Sequence, residues 1–303
     1  MKKIVIAGGT GFLGTCLTEF YEAKGWTVVI LTRGSTRQQR AVQYVTWDGM
    51  NPGPWVDALE GAEALVNLNG RSVDCRYTEE NKRLNYSSRL DATAILGAAV
   101  QRAKNPPKVW LNAASATIYR HAEDREMDED TGEIGTGFSV DVCQAWEAVF
   151  AGTDTPGTRK ILLRTGIVLG NHGGPLRPLK MLAKLGVGGR QGNGNQYCSW
   201  LHEQDFVHIV DFLIRHRETV GVYNVTAPTP IPNKHLTRAL RRAVGMPIGI
   251  PLPAWLLDVG ARIIQTEPEL ILKSRRVVPA RLLQAGYTFQ FATIEQALND
   301  LCH

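Results

Sequence analysis

The chain has 303 residues, 44% of them hydrophobic, enough for one large α/β unit or two closely joined domains with a sizeable core. Its 34 basic residues outnumber 29 acidic ones for a formal charge of +5, but they are dispersed and do not alternate with aromatics, which argues against a nucleic-acid partner and suits an anionic cofactor or substrate. The apolar run after Met1-Lys2-Lys3 ends at Ala7, short of the roughly 7–15 residues of a signal-peptide core, and no stretch approaches the roughly 20 apolar residues of a membrane span, so a cytoplasmic protein without membrane contact is expected.

In chain order, short β-branched runs alternate with amphipathic stretches, as parallel βαβ units do. Strands are predicted over Lys3 to Ala7, Thr27 to Leu31, Ala64 to Leu68, Val109 to Ala113 and Lys160 to Thr165. Between them, Leu13, Leu17, Phe20 and Tyr21 mark a helix from Phe12 to Lys24, and Leu90, Ile95, Leu96 and Ala99 mark one from Ser88 to Arg102. From Gly166 the texture changes: Gly170 to Pro178 and Gly186 to Asn195 are dense in glycine, a strand returns at Val222 to Val225, and the remainder from Pro228 reads as helical with proline breaks. The fold class expected is α/β: a Rossmann-type, doubly wound parallel sheet with a smaller C-terminal substrate lobe. The sheet domain is assigned residues 1–170, with 198–227 returning to it, and the lobe 171–197 and 228–303.

The first strand runs into Gly8-Gly9-Thr10-Gly11-Phe12-Leu13-Gly14 and then directly into a helix. Gly8 allows the tight turn, Gly11 lets backbone approach a pyrophosphate, and Gly14 lets helix and strand touch, with the helix N-terminus facing the negative charge. The end of the second strand selects the nucleotide, because an acid there bonds the ribose 2′-hydroxyl and repels a 2′-phosphate. Here it reads Leu31-Thr32-Arg33-Gly34-Ser35, with a permanently charged fork and two hydroxyls in place of the acid, so NADP(H) is the cofactor expected. The alternative is that Arg33, Arg37 and Arg40 begin a solvated helix.

From the glycine turn onward the chain resembles the atypical, epimerase-like branch of the extended short-chain dehydrogenase/reductase superfamily. The matching pieces are Thr46-Trp47-Asp48, Asn67-Leu68-Asn69-Gly70, Ser115-Ala116-Thr117-Ile118-Tyr119, Arg164 to Gly170, Ser199-Trp200-Leu201-His202, and Arg276-Val277-Val278-Pro279 running on to Gly286-Tyr287. The resemblance implies that Leu68, Asn69 and Gly70 border the nicotinamide-side ribose and that Val168 begins the loop flanking the nicotinamide. Arg89 stands where relatives often carry asparagine; it reaches cofactor phosphates or substrate, or forms a salt bridge on its helix.

The departure lies in the next helix, where the superfamily's tyrosine and lysine supply a proton donor and the cation that lowers its pKa. Aligning Glu147 with the acid that often follows that motif puts Ser139 and Cys143 in their places. A serine hydroxyl without an adjoining base and a thiol without permanent charge do not replace them in kind. Ser115, just past a strand's C-terminal end, and Tyr119 in the same turn are the remaining catalytic candidates, Tyr119 competing with a packing role for its ring.

Other features have plain readings. The acidic run Glu123 to Asp130 lacks the spacing of a calcium loop and reads as solvated. His202 and His208 with Glu203 and Asp205 fit no zinc signature, and five scattered cysteines read as free thiols, so no metal is expected. His202 beside Trp200 faces either the pocket or the core. Gly188 to Gln196 offers amides and one guanidinium for substrate recognition. Trp255, Leu256, Leu257, Val259, Ile263 and Ile264 read as core packing on a helix between Pro253 and Pro268. The function expected is an NADP(H)-dependent oxidoreductase or epimerase acting on a small polar substrate, with a homodimer as the admissible assembly; the alternative is a non-catalytic NADP(H)-binding sensor or regulator.

Overall fold

In the computed structural model, which describes residues 2–73, 75–257, 267 and 269–303, the first apolar run forms strand β1 (Lys3–Ala7) and the glycine turn leads into helix α1 (Phe12–Ala23). Strands β2 (Thr27–Thr32), β4 (Val42–Thr46), β5 (Ala64–Asn67), β6 (Val109–Ser115), β7 (Arg159–Thr165) and β11 (Gly221–Val225) join β1 in parallel, and β3 (Arg37–Gln39) caps one edge antiparallel. The order across the eight-stranded sheet is β11-β7-β6-β5-β1-β2-β4-β3. The chain therefore winds outward one way from β1 and, starting again at β5, outward the other way. That reversal puts a crevice at the C-terminal ends of β1 and β5, the place where open α/β sheets bind ligands. This is the doubly wound sheet the sequence predicts.

Covering both faces makes the central strands almost wholly apolar, as parallel sheets require. One face packs Leu17 and Tyr21 of α1 and Phe206 and Val210 of α5 (Glu203–Arg215) against Ile4, Ile6 and Leu111. The other packs Leu96 of α2 (Glu79–Arg102) and Phe150 of α3 (Phe138–Gly152) against Val5, Leu65 and Trp110. Helix α2 starts nine residues before the predicted Ser88, because Thr78 caps its N-terminus by accepting from Asn81 N–H and Glu79 and Glu80 complement the dipole. Its polar first turns carry no apolar period, so the sequence pattern alone begins late.

The alternative of a solvated helix beginning at Arg33, Arg37 and Arg40 does not hold, because the segment after Arg33 forms a hairpin. Gln39 pairs with Val42 across β3 and β4, and the Arg37 guanidinium lies 3.9 Å over the Tyr44 ring. A third apolar cluster sits past β7, formed by Leu176 and Ala183 of α4 (Leu176–Lys184), Leu236 and Leu240 of α6 (Asn233–Ala243), and Leu298 of the helix Ile294–Cys302. Two small strand pairs connect this cluster to the sheet: β8 (Ile167–Leu169) with β10 (Trp200–His202), and β9 (Tyr197–Cys198) with β12 (Ile231–Pro232). Trp255 is 69% exposed, contrary to the expected core packing, and Val259, Ile263 and Ile264 lie outside the described residues. All five cysteines are free thiols, and no helix among the described residues is long and apolar enough to cross a membrane.

Candidate functional site

The glycine turn is shaped by close contact at three of its glycines and not at the fourth. Gly8 has φ +78°, and a Cβ there would lie 2.9 Å from the Leu68 carbonyl carbon. A Cβ on Gly9 would enter the Ile30 side chain, and one on Gly14 would lie 2.5 Å from Gly9 Cα, so helix and turn meet through bare backbone. Gly11 is extended (φ −82°, ψ 175°), and its Cβ would meet nothing nearer than Gly8 O at 3.5 Å. The protein's own packing does not demand glycine there. Helix α1 has no side-chain cap and no acid in its first turn, so the N–H groups of Phe12 and Leu13 point along the positive end of the dipole without a side-chain acceptor. Thr10 is exposed beside them.

At the end of β2, Thr32 Oγ1 accepts from Gly34 N–H at 3.2 Å and so shapes the turn. Arg33 follows, exposed and without an ion pair or hydrogen bond among the described residues. No acid stands between residues 32 and 36.

Across the crevice, Asn67 at the end of β5 is fully buried. Its amide donates to Asn112 Oδ1 at 2.7 Å and Thr93 Oγ1 at 3.2 Å, and its oxygen accepts from Asn69 N–H at 3.0 Å. Asn69 Nδ2 donates to Ser88 O. These bonds fix Leu68, Asn69 and Gly70 beside Gly8. Gly70 in turn lets Arg89 approach, since a Cβ there would lie 3.3 Å from Arg89 Cζ. Arg89 makes no salt bridge among the described residues: it donates to Asn85 O, Asn85 Oδ1 and Arg71 O and lies over the Trp146 ring at 5.3 Å. Burial pulls its pKa below the ordinary guanidinium value.

Ser115 ends β6 opposite Thr165 of β7, and its Oγ accepts from Thr117 N–H at 3.2 Å. Tyr119, four residues on, is fully buried. Its hydroxyl donates to Asn224 Oδ1 at 3.0 Å and accepts from Arg164 Nη1 at 2.8 Å, while Arg164 makes a two-point pair with Glu147, each contact 2.8 Å. Both roles of the hydroxyl are therefore taken inside the protein, and burial raises its pKa further.

On α3, Ser139 Oγ donates to Glu269 Oε1 at 2.8 Å, and Cys143 packs among Ala116, Ile118, Tyr119 and Val277. Burial pushes the Cys143 thiol up to about 12. Two groups that sequence reasoning passed over lie within electrostatic reach of Cys143. Arg275, 14% exposed, has a buried Nε without an acceptor among the described residues, where its nearest carboxylate oxygen, Glu269 Oε1, is 3.9 Å away. Burial lowers its pKa to about 10. Tyr77 has a buried hydroxyl without a partner among the described residues and, by burial first and the Glu269 and Glu267 charges second, is pushed up to about 12. No spacing could find this pair: 198 residues separate 77 from 275.

Three other candidates take structural positions. Val168 lies inside β8, paired with Leu201, so the loop it was expected to begin starts after Leu169. His202 is fully buried: its Nδ1 accepts from Gln204 N–H as the cap of α5, its Nε2 lies 3.2 Å from Asp300 Oδ2, and its ring stacks on Phe291 at 3.8 Å. In the loop from Gly188 to Gln196, the amides of Gln191 and Gln196 are bonded to Asn233 and to the Gln191 backbone. The acidic run is tied down by Glu129, which accepts from the N–H groups of Asn224 and Arg281.

A parallel sheet in this order, with a glycine-rich turn feeding a helix at its reversal point, defines a Rossmann-type nucleotide-binding protein. The chain belongs to the NAD-dependent epimerase/dehydratase family, which matches residues 4–226, and a domain of unknown function matches residues 252–301. The epimerase family protein SDR39U1 of Bos taurus is 31% identical over 303 residues, covering 99% of each chain. Epimerase family protein ML0860 of Mycobacterium leprae is 33% identical over 297 residues, 98% of this chain and 94% of that one. Among solved structures, human SDR39U1 (isoform 2) with NADPH superposes with a TM-score of 0.89 at 28% identity over 99% of each chain.

Proposed function

We propose that the chain binds NADP(H) across the crevice between β1 and β5 and uses it in an oxidoreductase or epimerase reaction on a small polar substrate. The observation that carries the cofactor is Arg33, a guanidinium without a partner among the described residues at the end of β2, with no acid nearby to repel a 2′-phosphate. Gly11 supports it, since the protein's packing leaves open the space beside this N-cap glycine that an approaching phosphate would use. The human relative, whose crystal structure is with NADPH, agrees. When bound, the nicotinamide would give or take hydride; the residues of this chain hold it and shape what meets it. Gly8, Gly9, Thr10, Gly11, Phe12 and Leu13 would bind the pyrophosphate, Thr32 and Arg33 the adenosine end, and Leu68, Asn69 and Gly70 the far ribose, with Arg89 behind them.

The substrate would sit beneath α3 near Arg275 Nε and the Tyr77 hydroxyl, two buried donors without a partner among the described residues, which suits a molecule rich in acceptor oxygens. Of the catalytic candidates Ser115, Tyr119 and Ser139, Ser115 is the one whose hydroxyl donates no hydrogen bond among the described residues. Tyr119 serves in this reading as scaffold and not as proton donor.

A second reading, a non-catalytic NADP(H)-binding regulator, is favoured by one observation: Ser139, Cys143 and Tyr119 are all bonded or buried where a superfamily enzyme would present a free acid. Calorimetric titration with NADPH and NADH tests the cofactor. A charge-assisted contact worth about 1.5–3 kcal/mol gives a preference of roughly 10- to 150-fold for NADPH, lost in Arg33→Ala; equal affinities would remove the argument. Stopped-flow oxidation of bound NADPH against aldehydes, ketones and sugar nucleotides separates the two readings. Turnover lost in Ser115→Ala but kept in Cys143→Ala supports the enzyme; none with any substrate supports the regulator.

A further inference from the structure

Cys16 on the second turn of α1, His172 in the loop after β8 and Glu203 at the start of α5 bring one thiol, one imidazole and one carboxylate together from three segments. Cys16 Sγ lies 3.6 Å and His172 Nδ1 3.5 Å from the same Glu203 Oε2, and all three ligand atoms fall within 4.8 Å of one another. Zinc bonds of about 2.3 Å to sulfur, 2.05 Å to nitrogen and 2.1 Å to oxygen, at tetrahedral angles, place sulfur about 3.6 Å and nitrogen about 3.4 Å from the carboxylate oxygen. The two edges already have those lengths. The other carboxylate oxygen, Glu203 Oε1, accepts from Asn171 N–H at 3.1 Å, the kind of outer bond that orients a ligand. Glycine at 170 is required for this arrangement, because a Cβ there would collide with the Glu203 carboxylate. The Glu203 side chain is 11% exposed and that of His172 57%, so solvent reaches the cluster from the imidazole side. Thiolate with imidazole and carboxylate is a donor set for zinc-class ions and not for calcium or magnesium.

We propose that Cys16, His172 and Glu203 bind one zinc-class divalent cation, with solvent in the fourth position. The ion clips the loop after β8 onto α1. That loop already rests on the glycine turn, since Cβ atoms on Gly173 and Gly174 would meet Phe12 at 2.7 and 3.0 Å. The ion thereby fastens the helix whose N-terminus opens the crevice to the segment that follows β8, whether or not the crevice catalyses a reaction. The site was invisible to spacing rules because its ligands stand at 16, 172 and 203.

Titration of the metal-stripped, reduced full-length chain with Co2+ as the coloured probe, followed by Zn2+, tests the assignment. One equivalent should bind, with thiolate-to-cobalt charge-transfer absorption and tetrahedral visible bands that Zn2+ abolishes, and Zn2+ should raise the melting temperature by a few degrees. Cys16→Ser should remove the charge-transfer band. His172→Ala, at an exposed position that leaves the fold intact, should weaken binding by more than about 100-fold, beyond the loss typical of an outer-shell ligand. Absence of saturable binding, or equal binding by wild type, Cys16→Ser and His172→Ala, would overturn the proposal. Glu203→Gln should weaken binding likewise, and if it fails to fold, Cys16→Ser and His172→Ala decide.

Discussion

The two sides of the crevice treat their polar groups in opposite ways. On the β1–β2 side the groups that suit a nucleotide have no protein partner among the described residues: the first-turn N–H groups of α1 lack a cap and the Arg33 guanidinium lacks an acid. On the α3 side the groups at the positions where the superfamily's chemistry is expected are engaged, Tyr119 by Arg164 and Asn224, Ser139 by Glu269 and Cys143 by burial, while Arg275 Nε and the Tyr77 hydroxyl stay without a partner among the described residues. A polar group that is satisfied internally stabilises the fold, and one left without a partner costs stability unless a ligand completes it. The contrast therefore separates a surface built to receive something from a surface built to hold itself together, and substitutions on the two sides should fail differently.

The largest effect is expected on the engaged side. Arg164 and Glu147 are only 11% and 16% exposed and share two 2.8 Å contacts, so Glu147→Ala leaves a nearly buried guanidinium without its counter-charge. A loss of about 3–5 kcal/mol in urea unfolding is expected. Tyr119→Phe removes the hydroxyl between Arg164 and Asn224 and should cost about 1–3 kcal/mol while leaving NADPH affinity unchanged. A Tyr119→Phe variant as stable as wild type but inactive would reverse the contrast, making the tyrosine a proton donor after all.

The glycine turn sharpens the contrast within four residues. Gly14→Ala forces a methyl onto Gly9 backbone and should destabilise by about 1–3 kcal/mol, the usual range for overpacking. Gly11→Ala meets only an ordinary contact in an extended conformation, so its stability should fall by no more than about 1 kcal/mol, the N-cap preference for glycine over alanine, while NADPH binding falls at least about tenfold, or 1.4 kcal/mol. Equal NADPH affinity in Gly11→Ala would mean that no phosphate approaches that backbone.

How much of this was legible in the sequence follows the same division. The glycine turn, Arg33 and the strand ends Asn67 to Gly70 and Ser115 lie within single strand–turn units, so local pattern places them, and the doubly wound sheet follows from the alternation of such units. The hairpin at Arg37 to Thr46 was missed because β3 is fully exposed and its Arg-Gln-Gln has no apolar alternation. Tyr119 reads as a catalytic tyrosine locally; only Arg164 and Asn224, 45 and 105 residues away, reveal that its hydroxyl is engaged. Arg275 with Tyr77, and Cys16 with His172 and Glu203, likewise exist only after folding, because no periodicity relates residues on separate elements.

The smallest effect tests whether His202 belongs to the engaged side, where its place in the resemblance motif suggested the pocket. Burial pulls its pKa below the ordinary 6.5, against the opposing pull of Asp300, Asp205 and Glu203, which face it from the C-terminal helix and from α5. With Nδ1 accepting from Gln204 N–H, the neutral ring donates from Nε2 to Asp300, and protonation removes the cap of α5. The folded state thus binds the proton more weakly than the unfolded chain. This contribution to stability is complete above the unfolded pKa and is lost as pH falls through it toward the folded value. Between about pH 7.5 and 5.5 the loss attributable to this one group is bounded near 1.4 kcal/mol, the cost of protonating an imidazole of pKa 6.5 in the unfolded chain alone. His202→Asn keeps a capping oxygen and removes the titration. It should be less stable at the upper pH, for want of the Asp300 bond and the Phe291 stacking, yet show a shallower fall in urea-unfolding free energy toward the lower one. A variant whose fall matches wild type would show that His202 takes up its proton equally readily in the folded and the unfolded chain, and that its ring is not held neutral as the cap of α5.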